Sequence, residues 1–170
     1  MKVRFFLLGL LAFQVALALP SNMRERIMQR DKFIVFRDKA IDKCTETFQI
    51  DKYSIIDSLS QFDVPDEPMF KCWYNCFMQE MGFKKGRDID WDVAKNYTKS
   101  QLMDEDLNDK VEELYDNCRE EVPVHFRDQC IMAYEFILCE VRNWSRVSNR
   151  IIIIITLPLS YSIHVSKVFR

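Results

Sequence analysis

Glycine is almost missing from this chain, with three residues in 170. Phosphate-cradling loops and tight β-turns both draw on glycine's access to positive φ. Neither a nucleotide-binding loop nor a turn-rich β-protein is therefore expected. Histidine is scarcer still, limited to His125 and His164. That supply builds no convincing Ser-His-Asp or Cys-His arrangement, and a tetrahedral zinc site in the body of the chain would have His125 as its sole imidazole. The sequence is read as that of a non-enzyme without metal or cofactor. Long apolar runs are lacking too: 5–13 and 151–159 are too short to span a bilayer. Acids are absent from both ends. Two of the 24 basic residues lie in 1–18 and three in 150–170, whereas all 26 acids lie between, so residues 19–149 carry a formal charge of −7. A body that acidic repels nucleic acid and anionic membranes.

What is present begins with a charged start (Lys2, Arg4), an apolar stretch and the small-x-small sequence Ala16-Leu17-Ala18. That order is the pattern of a secretory signal peptide over residues 1–18. The six cysteines, Cys44, Cys72, Cys76, Cys118, Cys130 and Cys139, all follow it. An even number of cysteines in a secreted chain points to disulfides before metal.

Helical periodicity runs through the body. Ile27, Ile34, Ile41 and Phe48 recur every seven residues over 22–48, joined by Cys44. A short helix over about 51–60 places Tyr53, Ile56 and Leu59 on one face. Asp66 and Pro68 mark the start of a third helix, and Gly82 its end. Residues 82–90 read as a polar loop, followed by helices over 90–99 (Trp91, Ala94 and Tyr97 inward) and 104–120 (Leu107, Val111, Leu114 and Cys118), the latter with Asp104, Glu105 and Asp106 at its start. A sixth helix is expected from Pro123 to Asn143. Residues 150–170 break this pattern with five consecutive isoleucines and no acids, and are read as an atypical tail that packs nowhere.

The cysteine spacing has a geometric meaning. Cys72 and Cys76 are four apart, one helical turn or about 6 Å of rise, so their thiols run parallel and do not readily bridge each other. Cys130 and Cys139 stand about 13 Å apart along a continuous helix and cannot pair either. Of the fifteen connectivities open to six cysteines, these two exclusions leave ten, and helix geometry goes no further.

Between successive cysteines lie 27, 3, 41, 11 and 8 residues. This resembles the six-cysteine pattern of the insect odorant-binding proteins, with the second gap of three and the last of eight matching directly over about residues 22–145. The resemblance implies an all-α fold: a compact, disulfide-bridged domain of six helices, within 19–149, enclosing an apolar cavity. It further implies the bridges Cys44–Cys76, Cys72–Cys130 and Cys118–Cys139.

The function implied is that of a secreted, extracellular carrier of small hydrophobic ligands such as odorants, pheromones or other semiochemicals through aqueous lymph. Its candidate protein partners are a chemosensory receptor or a second copy of the chain, without nucleic acid or stable membrane insertion. The competing reading is a secreted, disulfide-rich helical protein that acts by binding a protein partner through an exposed apolar patch.

Candidate ligand-lining residues on the inward faces are Phe33, Ile34, Phe36, Trp73, Phe77, Met78, Met81, Trp91, Met103, Leu107, Val111, Leu114, Met132, Tyr134 and Phe136. Without the resemblance such a stripe reads as solid core. Trp73, Trp91 and Tyr134 are the candidates for a polar contact to the ligand. His125 is weighed as a pH sensor against an exposed loop-end residue, the simpler reading. Asn96 and Asn143 each begin a glycosylation sequon.

Overall fold

A computed structural model describes residues 21–102, 105–123 and 127–147; within these, nothing is said of the side chains of 21–24, 105 and 145–147. The signal segment, Met103, Asp104, His125 and the tail over 150–170 lie outside the described residues. Six α-helices carry the architecture: α1 (Ser21–Phe48), α2 (Lys52–Ser60), α3 (Pro68–Glu80), α4 (Trp91–Gln101), α5 (Asn108–Glu121) and α6 (Gln129–Val147). A 3-10 turn over Glu105–Leu107 precedes α5.

Local chemistry sets most helix ends. Asp51 caps α2 by accepting from the Ser54 amide at 2.9 Å, and Asp90 caps α4 through the Val93 amide at 3.2 Å. The Asp128 carboxylate accepts from the amides of Cys130 and Ile131, at 2.8 and 3.4 Å, at the start of α6. Pro68 opens α3 in the first helical turn, where no amide is needed. At its far end Gly82 takes φ +72, letting the Phe83 amide reach back to the Met78 carbonyl at 2.8 Å.

Several sequence expectations require correction. Asp66 does not cap α3: the cap position is Glu67, without a side-chain bond, and Asp66 pairs with Lys71 instead. The segment expected to be a plain loop contains a small hairpin, β1 (Lys84–Lys85) antiparallel to β2 (Asp88–Ile89). One of the few glycines, Gly86 at φ +67, makes its two-residue turn. Lys84 braces the hairpin by donating to Asn75 of α3 and Gln129 of α6, at 2.5 and 2.9 Å. The last helix starts at Gln129 rather than Pro123, where the Asp128 cap becomes available. In α2, Ile55 and Ile56 face inward while Tyr53 is 72 % exposed. Asn143 is buried with its amide donating to the Cys139 carbonyl at 3.0 Å, which leaves no room for a sugar, whereas Asn96 is exposed.

α3 is the central element. It packs most extensively on α6 and also on α1, while α6 packs on α5 and α5 on α4. Trp73, Tyr74 and Met78 of α3 are buried against Ile41 and Cys44 of α1 and Ala133 and Phe136 of α6. Burying each large apolar side chain is worth roughly 1.5–3 kcal/mol.

Three bridges fix the arrangement, and no described cysteine is free. Cys44–Cys76 joins α1 to α3, Cys72–Cys130 joins α3 to α6, and Cys118–Cys139 joins α5 to α6. Their Cα separations of 5.9, 4.4 and 5.7 Å suit unforced bridging. The thiols of Cys72 and Cys76 leave α3 for different partners, as one helical turn between them requires.

The loops closed differ in length, spanning 58 residues for Cys72–Cys130, 32 for Cys44–Cys76 and 21 for Cys118–Cys139. In the chain-entropy description the longest is worth about 4 kcal/mol and the shortest about 3. Paired Cys→Ala removal of Cys72–Cys130 is expected to lower the denaturant midpoint more than removal of Cys118–Cys139. An equal or reversed order would show that native-state contacts, not loop closure, set the contribution.

Candidate functional site

All six helices contribute to the wall of one partly open cavity of about 80 Å³. A single water needs roughly 10–15 Å³ on the same basis, so the space admits several waters or a small organic molecule. α1 supplies Arg37 and Ile41, and α2 supplies Ile55, Ile56 and Leu59. α3 supplies Trp73, Tyr74 and Phe77, with Phe83 just beyond it. α4 contributes Tyr97 and Thr98, α5 Tyr115, and α6 Ile137 and Glu140.

The helical period explains which residues arrive there. Trp73 and Phe77 are one turn apart on α3, and their rings stack at 5.4 Å. Arg37 and Ile41 stand one turn apart on α1, seven and three residues before the bridge at Cys44, which narrows the choice of inward face. Phe33, one turn before Arg37, packs edge-on to Tyr97 at 5.5 Å.

The wall is mostly apolar, with two kinds of polar feature. The first is a set of unsatisfied donors. The Trp73 indole N–H and the Tyr74 and Tyr97 hydroxyls are buried and make no hydrogen bond of regular geometry among the described residues. Leaving such a donor unpaired costs about 1–3 kcal/mol, so each favours an acceptor brought in by water or ligand. Burial raises the pKa of Tyr74, and pushes that of Tyr97 up to about 12.

The second is a chain of hydroxyls ending on a carboxyl group. The Tyr115 hydroxyl donates to Glu140 Oε1, which leaves the Thr98 hydroxyl, 2.7 Å away, to donate to Tyr115. Desolvation raises the Glu140 carboxyl to about pH 7, opposed by the Tyr115 bond. Tyr115 rises well above the usual phenol value, first through burial and then through the Glu140 charge. Arg37, by contrast, is buried with a counter-ion: its Nη2 lies 2.9 Å from Asp38 Oδ1.

Two of the residues nominated from sequence, Trp73 and Phe77, line this cavity. Trp91 and Met132 instead line a smaller depression of about 60 Å³ with Arg119 and Pro123. Met78, Met81, Leu107, Val111, Leu114 and Phe136 are buried core residues away from the cavity wall. Ile34 is half-buried, and Phe36 is 48 % exposed. Both follow from the rotation of α1, which turns Phe33 and Arg37 inward together with Ile41 of the seven-residue row and leaves Ile34 half-buried. Tyr134 sits at the surface beneath Lys71, whose ammonium lies 4.4 Å from the ring centre. Of the three polar candidates only Trp73 is at the wall.

Of the polar residues of the wall, Tyr97 is read from the sequence only as inward-facing, and Arg37, Thr98, Tyr115 and Glu140 carry no sequence signal of a site. An arginine or glutamate in an otherwise amphipathic helix reads as its solvated side.

Comparison with known proteins places this architecture. A model of the PBP/GOBP family matches residues 28–143, and the chain belongs to that family. Among solved structures it is similar to Apis mellifera odorant binding protein 5, with 18 % identity and a TM-score of 0.56 over 66 % of this chain and 88 % of that one. At that identity the likeness is one of fold. No curated protein sequence matches significantly. The fold is thus the disulfide-bridged, six-helix fold of the odorant-binding proteins.

The Glu140 carboxyl also makes stability depend on pH. Its folded pKa of about 7 lies above the ordinary value of 4.5, so the native state holds a proton that the unfolded chain has released between those values. Stability therefore falls as pH rises through that window and levels off above it. Glu140→Gln removes this ionisation and keeps an acceptor for Tyr115. Thermal unfolding should show the variant stabilised relative to the parent at about pH 8, with the difference vanishing near pH 4. A constant difference across the range would refute the ionisation argument.

Proposed function

We propose that the protein is a secreted, non-enzymatic carrier that holds one small hydrophobic molecule in the cavity among its six helices. The role suggested by the family is transport of odorants, pheromones or other semiochemicals through aqueous lymph. The observation that carries this reading is the apolar cavity whose wall residues Trp73, Tyr74 and Tyr97 have buried donors without partners. Apolar wall supplies affinity by removing ligand surface from water, and a few fixed donors orient it. No covalent step is involved. Among the described residues no helix is long and apolar enough to cross a membrane.

The carrier is expected to bind an apolar fluorescent probe at about one per chain with micromolar strength, equivalent to about −8 kcal/mol. Displacement by small alcohols, esters or ketones should follow. Phe77→Trp, which fills the wall beside Trp73, should weaken the probe about tenfold or more while the far-ultraviolet circular dichroism stays helical. Undiminished affinity in that variant, or no displaceable binding by well-folded delipidated protein, would sink the proposal.

A second reading is favoured by one observation. Met28, Val35 and Phe36 on α1 are 59, 56 and 48 % exposed. Apolar side chains grouped on one helix can serve a protein contact. A carrier acting only through its cavity should retain probe affinity in a Val35→Lys, Phe36→Lys variant.

A further inference from the structure

The cavity wall contains two ionisable side chains of opposite sign, and only one of them is compensated. Arg37 has the Asp38 carboxylate against it, at 3.1 Å from Nε and 2.9 Å from Nη2. Glu140 receives a single hydrogen bond, from the neutral hydroxyl of Tyr115, and no cation is paired with it among the described residues. Taken with Asp38, the wall therefore holds one carboxyl group in excess, set among the rings of Trp73, Tyr74, Tyr97 and Tyr115.

Glu140 is half-buried, and a carboxylate drawn partly out of water is costly unless paired; a charged donor offsets that cost better than a neutral one. Aromatic surroundings add to the attraction for a cation. A carboxylate ligand meets a like charge instead. We propose that Glu140 selects the ligand by charge, so that the cavity takes organic amines in preference to alcohols of the same shape and rejects carboxylates. The ammonium group of such a ligand donates to the Glu140 carboxylate, and its hydrocarbon part lies against Ile41, Ile55 and Phe77. The inference deepens the carrier reading and rests on it.

The groups around Glu140 do not compete for this role near neutral pH. From α1 it is faced by the Arg37–Asp38 pair, and from α2 by apolar side chains only. The phenols of Tyr74 on α3, Tyr97 on α4 and Tyr115 on α5 are all raised above their ordinary value by burial.

Calorimetric titration of the full mature chain with hexylamine, hexan-1-ol and hexanoate tests the proposal. At about pH 8 hexylamine should bind about tenfold more tightly than hexan-1-ol, and hexanoate more weakly than both. Glu140→Gln should bring the amine-to-alcohol ratio close to unity. Acidifying the parent to about pH 6 should weaken hexylamine while leaving hexan-1-ol unchanged, a readout that needs no variant. Hexan-1-ol binding as tightly as hexylamine in the parent, or a ratio unmoved by Glu140→Gln in folded protein, overturns charge selection while leaving the carrier intact. Binding of none of the three, with no displaceable apolar probe, overturns both.

Discussion

Two thiols one helical turn apart are the constraint on which this structure depends. On a helix, side chains at i and i+4 point the same way, so Cys72 and Cys76 cannot readily satisfy each other. They reach in the same general direction for different helices, α1 through Cys44 and α6 through Cys130. α3 is thereby held between its neighbours whatever the quality of packing around it. The third bridge, Cys118–Cys139, fastens α5 to the same α6. Helices cross-linked in this way need not be packed solid to stay together. The space they leave is where the apolar faces of all six converge.

The polar groups of the cavity follow from the same geometry. Once α1 is fixed at Cys44, the inward row one, two and three turns earlier is occupied by Ile41, Arg37 and Phe33. Once α5 and α6 are fixed at Cys118 and Cys139, Tyr115 and Glu140 lie three residues before and one after those bridges. An arginine and a glutamate are thus carried inside by covalent attachment of their neighbours. The arginine brings its own counter-ion in Asp38, and the glutamate brings only a phenol. Hydrophobic patterning alone would have placed both in water.

That difference also explains what the sequence disclosed. The helices were legible because apolar periodicity and proline and glycine act locally: Pro68 and Gly82 mark the two ends of α3, whereas the aspartate read as its cap, Asp66, is not one, and the side-chain caps at Asp51 and Asp90 emerge only from the structure. The hairpin at 84–89 was not, since two-residue strands have no period to read and only Gly86 betrays the turn. Among site residues, Trp73 and Phe77 were legible as a single helical face carrying large rings. Their neighbours Val111, Leu114 and Phe136 share the same pattern and fill solid core instead. Apolar periodicity reports burial, and burial does not distinguish a wall lining a cavity from one pressed against another side chain.

The most direct measurement is methyl-detected nuclear magnetic resonance of the isoleucine, leucine and valine side chains during titration with a small apolar ligand. The cavity is lined by the methyl groups of Ile41, Ile55, Ile56, Leu59 and Ile137, while Val35 and Val93 are exposed on the outside. An internal carrier predicts large saturating shifts confined to the first set, with ligand-to-methyl Overhauser effects to Ile55 and Ile137. Shifts gathered at Val35 and Val93, with the five lining methyls unmoved at saturation, would place the ligand on the outer surface and contradict the account.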